Sequence, residues 1–150
     1  MNTLKMRKHN IPFIWFILLP LFGLPQKVGV LFGWLSEGSW LNFVLLLVAP
    51  FIWMVLILRK TMRSPFNPLL LIGLNYGLYT AIIDFLFWLS HHDASALPQG
   101  TWTFYDLMDA MFYFLTPAFR FMANILFGLL LGVLTGFFAQ LITKKRDERA

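Results

Sequence analysis

The chain contains no cysteine and few charged residues, since Asp, Glu, Lys and Arg together make up 13% of its 150 residues. The absence of cysteine excludes disulfide scaffolds, thiol catalysis and cysteine-bound zinc. A soluble domain carries about 25% charged and about 45–50% apolar residues, whereas 59% of this chain is hydrophobic. A disordered chain is poor in apolar residues and is excluded too. The composition therefore predicts a protein that crosses a membrane several times.

The apolar residues are concentrated in stretches long enough to cross a bilayer as helices. A spanning helix needs about 20 mostly apolar residues, because the hydrocarbon core is about 30 Å thick and each residue rises about 1.5 Å. The predicted spans are residues 11–35, 41–58, 69–90 and 121–142. Pro20, Pro25 and Lys27 interrupt the first span, which we interpret as one kinked helix, since neighbouring helices can satisfy the backbone groups that proline frees. A break at Pro25 would instead leave a stretch like the core of a signal peptide, but no small-residue cleavage site follows it.

The basic residues indicate how the spans are oriented, because cytoplasmic flanks retain Lys and Arg. With four spans, ten of the twelve basic residues fall on one side of the membrane. They are Lys5, Arg7, Lys8, Arg59, Lys60, Arg63, Lys144, Lys145, Arg146 and Arg149. We therefore predict one transmembrane domain over residues 1–150, in the cell membrane, with both termini cytoplasmic.

Residues 102–119 are also apolar, but a fifth span here would move the C-terminal basic residues to the outer side. The segment carries Asp106 and Asp109 near its start and Pro117 near its end. We expect an amphipathic or partly inserted helix on the outer face, bending at Pro117 into the last span. One continuous, kinked helix through both segments is the alternative. The predicted fold class is all-α, an integral membrane four-helix bundle with this extra helix.

Small residues recur at intervals of four in the third and fourth spans, which puts each set on one helix face. The sets are Gly73, Gly77 and Ala81, and Gly128, Gly132 and Gly136. Such faces allow close contact between helix backbones in a membrane. They predict packing within one subunit or, alternatively, self-association through the last span.

Lys27, Asp84 and Arg120 are ionisable residues at similar predicted depths within the spans. A charge at the bilayer centre costs about 2.5–3.5 kcal/mol if it is left alone, so mutual pairing is favoured. We predict that Asp84 pairs with Arg120 or Lys27, with Asp106 and Asp109 competing from the outer helix. The full predicted polar cluster is Lys27, Asp84, His91, Asp106, Asp109, Arg120 and Asn124. The cluster is either functional or an anchor that only sets the helix register.

The sequence carries no recognisable catalytic signature, and we expect no cofactor, no metal site and no nucleic-acid partner. Three functions remain open. The first is a small accessory, assembly or binding subunit that contacts the bilayer and another membrane protein, or a second copy of itself. The second is a small oligomeric transporter or channel, and the third is a lipid-directed intramembrane enzyme.

Overall fold

The computed structural model describes residues 12–36, 38–60, 64–91 and 103–148. Their helices are α1 (Ile14–Leu21), α2 (Leu24–Leu31), α3 (Trp40–Arg59), α4 (Phe66–His91) and α5 (Phe104–Asp147). These ranges contain no strand, which confirms the all-α class for the part of the chain they cover. If α1 and α2 are counted as one stretch, four helical stretches are long and apolar enough to cross a membrane. Five of the basic residues used for the orientation lie outside the described residues: Lys5, Arg7, Lys8, Arg63 and Arg149.

The first predicted span consists of two short helices, where we expected one kinked helix. α1 ends at Leu21 and α2 begins at Leu24. Pro20 lies at the end of α1 and Pro25 at the start of α2, and neither can donate a backbone hydrogen bond to the preceding turn. The amides of the two residues between the helices donate only three residues back, from Phe22 to Leu19 and from Gly23 to Pro20, at 3.2 and 3.1 Å. The two prolines, five residues apart, therefore divide the span.

α4 and α5 run antiparallel and form the most extensive helix–helix contact among the described elements. A Cβ atom added to Gly77 would come 2.7 Å from the carbonyl oxygen of Asn124, and one added to Gly132 would come 2.9 Å from that of Leu69. The two backbones can approach so closely only because these positions have no side chain. The small-residue faces of the third and fourth spans therefore meet within a single chain, and Ala81 is fully buried on α4.

The best-buried apolar side chains lie where α1, α3 and α4 meet. The largest is Trp53 of α3, which is fully buried and packs edge-on against the ring of Tyr76, with 5.4 Å between the ring centroids. Gly23, between α1 and α2, lies against the same tyrosine ring, since a Cβ atom there would overlap it. Most other large apolar side chains are exposed, which is the pattern expected if the helices are the membrane spans that the sequence predicts.

α5 is one continuous helix from Phe104 to Asp147, so the structure differs from the separate outer helix that we preferred and agrees with the alternative. Pro117 lies inside this helix, and proline removes only one backbone hydrogen bond. Its loss does not end the helix, because α5 contacts α4 on both sides of the proline, at Tyr113 and at Asn124. Asp106 marks the beginning of the helix. Its carboxylate accepts the backbone N–H of Thr103 at 2.8 Å, and its own amide donates to the Thr103 hydroxyl, which together form a capping box.

Candidate functional site: a polar cluster joining three helices

Lys27 of α2 and Asp84 of α4 form an ion pair, with 2.7 Å between Lys27 Nζ and Asp84 Oδ2. Their side chains are 22% and 13% exposed, so both charged groups are largely buried within the bundle. Taking a charge out of water is costly unless it has a partner and further hydrogen bonds. Lys27 is thus the counter-charge that the sequence predicts for Asp84.

Asn124 of α5 completes the arrangement by donating from Nδ2 to the same Asp84 oxygen, at 2.6 Å. The same amide nitrogen also donates to the carbonyl oxygen of Arg120, at 3.0 Å, which holds the Asn124 side chain in position. The close approach of α4 and α5 at Gly77 brings Asn124 within reach of Asp84. The Lys27–Asp84–Asn124 cluster therefore links α2, α4 and α5 through a single carboxylate.

The structure does not bring the other predicted members into this cluster. Arg120 is exposed on α5, and Asp106 is occupied by the capping box at Thr103. Asp109 is exposed. His91 stacks on Phe87, with 4.0 Å between the ring centroids. Of the seven predicted residues, three form the contact.

A second set of polar contacts, which we did not predict, surrounds the broken first span. Asn75 of α4 donates from Nδ2 to the carbonyl oxygen of Phe16, at 3.0 Å. That carbonyl has no helical partner, because the residue four positions later is Pro20. Trp53 of α3 donates from Nε1 to the carbonyl oxygen of Leu19, at 2.7 Å. Pro20 was the signal in the sequence, because it identifies the Phe16 carbonyl as lacking a helical partner. It does not identify the side chain that donates to this carbonyl.

A third link joins α2 to α3, where Gln26 donates from Nε2 to Oδ1 of Asn42. Gln26 is the residue next to Lys27, so α2 is held by adjacent side chains to two different helices. Asn42 lies in the first turn of α3, which Ser39 caps by accepting the Asn42 amide. Side-chain links therefore connect both halves of the first span to the rest of the bundle.

Asn75→Leu is expected to lower the free energy of unfolding by about 1 kcal/mol. This value lies between the average of about 0.6 kcal/mol for a hydrogen bond between membrane helices and the penalty of about 1–3 kcal/mol for an unsatisfied buried group. Pro20→Ala restores a backbone N–H that can donate to the Phe16 carbonyl, so Asn75→Leu should cost much less in that background. Thermal unfolding in detergent measures the cycle, and Asn67→Leu, on an exposed position of the same helix, is the control. Additive effects of the two substitutions would contradict this account.

The chemistry open to the cluster is limited by what surrounds Asp84. Its Oδ2 atom is engaged by an ammonium and an amide, which neutralises its charge and restricts its movement. Among the residues that the structure describes, no group of three or more His, Cys, Asp or Glu side chains could hold a metal ion. The arrangement is suited to holding three helices in one register.

Comparison with known proteins gives no match, whether with protein-family models, curated proteins or solved structures.

Proposed function

We propose that the chain is an integral membrane protein with four spans and cytoplasmic termini, which serves as a subunit that binds another membrane protein. Membrane insertion is supported by the four long apolar stretches and by the many large apolar side chains on the outside of the bundle. The orientation is supported by the distribution of Lys and Arg. The proposed partner-binding role rests on the length of α5.

α5 is much longer than a membrane span. Its 44 residues measure about 66 Å at helical rise, against about 30 Å for the hydrocarbon core. Trp88, near the end of α4, packs against Tyr113 with 5.2 Å between ring centroids, and α4 ends at His91. Because the two helices are antiparallel, the first residues of α5 extend past the end of α4.

The extension carries large apolar side chains at a level that lipid tails do not reach. Gly77, near the middle of α4, packs against Asn124. If this level is the midplane, residues 104–109 lie about 22–30 Å from it, at or beyond the outer edge of the headgroups. Phe104, Tyr105 and Leu107 are nevertheless 71%, 80% and 58% exposed. Large apolar patches outside the hydrocarbon mark protein contacts.

The chemistry of this extension suggests what covers it. Asp109 is exposed among the apolar side chains, and Asp106 adds a second carboxylate one turn earlier. A complementary surface would be apolar with at least one basic residue, and it would lie on the extracytoplasmic side. We therefore propose that the partner is the extracytoplasmic part of another integral membrane protein.

The absence of cysteine from the chain makes single-cysteine labelling a direct test. In intact cells, a membrane-impermeant maleimide should label Tyr105→Cys but not Glu148→Cys, and permeabilisation should expose both. A photocrosslinker attached at Tyr105→Cys should capture one membrane protein of a different sequence. The same crosslinker at Ala123→Cys, exposed in the middle of α5, is the matched control and should capture none.

Substitution of the extension should abolish the contact without unfolding the bundle. Phe104→Glu combined with Leu107→Glu is expected to reduce recovery of the captured protein at least tenfold, because two charges would meet an apolar surface. Labelling of Glu148→Cys in intact cells would contradict the orientation. Capture of only a second copy of this chain at Tyr105→Cys would contradict the proposal that the partner is a different membrane protein.

A small oligomeric transporter is the second candidate, and the broken first span favours it. Interrupted helices with polar groups near the break mark substrate sites in many transporters. Here the break lies beside Tyr76, and Lys27 and Asp84 pair one turn beyond it. Solute flux into vesicles that contain the pure protein, lost in Asp84→Asn, would support transport over partner binding.

A further inference from the structure

A small cleft opens between α1 and α3, away from the Lys27–Asp84–Asn124 cluster. Its walls are apolar and are formed by Trp15, Leu19, Leu56 and Ile57, and Lys60 lies at one end. Leu19 and Ile57 are only 1% and 2% exposed, so they form its floor. Nζ of Lys60 lies 4.7 Å from the centroid of the Trp15 ring. The cleft thus combines an apolar trough with a single cation.

The size of the cleft limits what can occupy it. Its enclosed volume is only about 20 Å³, far below the range of about 300–1,000 Å³ for pockets that enclose a whole small molecule. From Leu56 to Lys60 it extends about one helical turn along α3. Only a short length of a slender apolar chain can lie along such a shallow trough, whereas a compact ligand or a peptide helix is too wide for it.

Lys60 supplies a positive charge at the end of the trough, which favours a ligand whose apolar chain ends in an anionic group. It caps the C-terminus of α3 and follows Arg59, and no carboxylate of the described residues lies within ion-pair distance of it. An ammonium has three N–H donors and no acceptor. Its contact with the face of Trp15 is compatible with donation to an anion.

We propose that this cleft binds an anionic phospholipid of the cytoplasmic leaflet, with one acyl chain between α1 and α3 and the phosphate at Lys60. The inference rests on the membrane orientation proposed above, in which the end of α3 lies at the cytoplasmic surface. Basic pockets between spans on that side hold anionic headgroups. The apolar walls favour a lipid over free phosphate, because phosphate alone would leave the trough empty.

Quenching of tryptophan fluorescence by lipids with brominated acyl chains tests the proposal on the full-length protein in mixed micelles. Brominated phosphatidylglycerol should quench at about fivefold lower mole fraction than brominated phosphatidylcholine, the factor that corresponds to about 1 kcal/mol for one basic residue. Trp15→Phe should remove the selectively quenched component. Lys60→Gln should remove the fivefold preference, whereas Arg59→Gln, at the exposed neighbouring position, should retain most of it.

Two further arms separate the sources of binding. Leu56→Phe should fill the trough and weaken quenching by both lipids at the Trp15 component. Glycerol phosphate, which has the headgroup phosphate and no chain, should not compete, and competition by it would overturn the lipid assignment. Equal loss of preference in Arg59→Gln and Lys60→Gln would overturn the specific site in favour of general surface attraction.

The inference and the proposed function fail in different ways. If the protein does not float with liposomes in a density gradient, membrane insertion itself is wrong. If it floats but shows no preference between the two brominated lipids, only the lipid site is wrong.

Discussion

Lys27→Met is expected to destabilise the bundle by about 3–5 kcal/mol, because it leaves the carboxylate of Asp84 buried without its cation. Asp84→Leu should have a similar effect for the opposite reason, since it leaves the Lys27 ammonium alone. Each single variant should accumulate poorly and unfold at a much lower temperature in detergent. Asp84→Asn keeps an oxygen that can accept the hydrogen bond from Asn124. The stability of this variant should therefore lie between that of these variants and that of the unsubstituted protein.

The double variant Lys27→Met with Asp84→Leu distinguishes a pair from two independent residues. Replacing both members of a buried ion pair by apolar residues of similar volume is often neutral, so most of the lost stability should return. Arg120→Met is the matched control, because Arg120 was the other predicted partner and is exposed. Its cost should stay within about 0.5 kcal/mol, as for most surface substitutions. A loss as large as that of Lys27→Met would mean that Arg120 also holds the carboxylate.

Gly128→Val is expected to separate α4 from α5 and to cost at least about 3 kcal/mol. A Cβ atom at Gly128 would come 2.5 Å from the backbone nitrogen of Gly77 and 2.6 Å from its Cα atom. Backbone atoms cannot rotate away as a side chain can, so the cost should reach or exceed the usual 1–3 kcal/mol for overpacking. Gly73→Val should act in the same way, since its Cβ atom would come 2.6 Å from the Cα atom of Gly132.

The unfolding of Gly128→Val also tests whether the glycine face of α5 packs within one subunit or joins two copies of the chain. Because the face is covered by α4 of the same chain, the loss of stability should not depend on protein concentration. Ala123→Val places the same side chain at an exposed position on the same helix and should have little effect. A loss that diminishes as the protein is concentrated would instead indicate contact between two copies through this face.

Several features of the fold could be predicted from the sequence because they depend on local composition. The helices around 41–58 and 69–90 begin and end close to α3 (Trp40–Arg59) and α4 (Phe66–His91), since an apolar run of sufficient length has few alternatives to a helix. The spacing of four between small residues put Gly77 and Gly128 on narrow faces, and these faces do meet. Whether the helices lie in a membrane remains a prediction.

Other features depended on how the helices rotate and slide against one another. Asp84 required a partner, and the sequence offered Arg120 and Lys27 at similar depths. The partner is Lys27, because the packed face of α5 presents Asn124 to Asp84 while Arg120 is exposed. Likewise, Pro20 identified a freed carbonyl, but only the position of α4 beside α1 shows that Asn75 reaches it.

The course of α5 illustrates the same division. Asp106, Asp109 and Pro117 are local signals, and they favoured two helices over one. The Asp106 signal was a capping box at the start of the helix, and packing along α4 maintains the helix through the single hydrogen bond that Pro117 removes.

The amino-acid sequence by itself determined the helical class, the four apolar stretches and the need for a counter-charge at Asp84, because each follows from residues that are close together in the chain. The tertiary structure alone decided which cation pairs with Asp84 and which side chains donate hydrogen bonds to the carbonyl oxygens near the break between α1 and α2. It also decided how far α5 extends past α4. These depend on the relative rotation and register of helices, which are set by contacts between residues far apart in the chain.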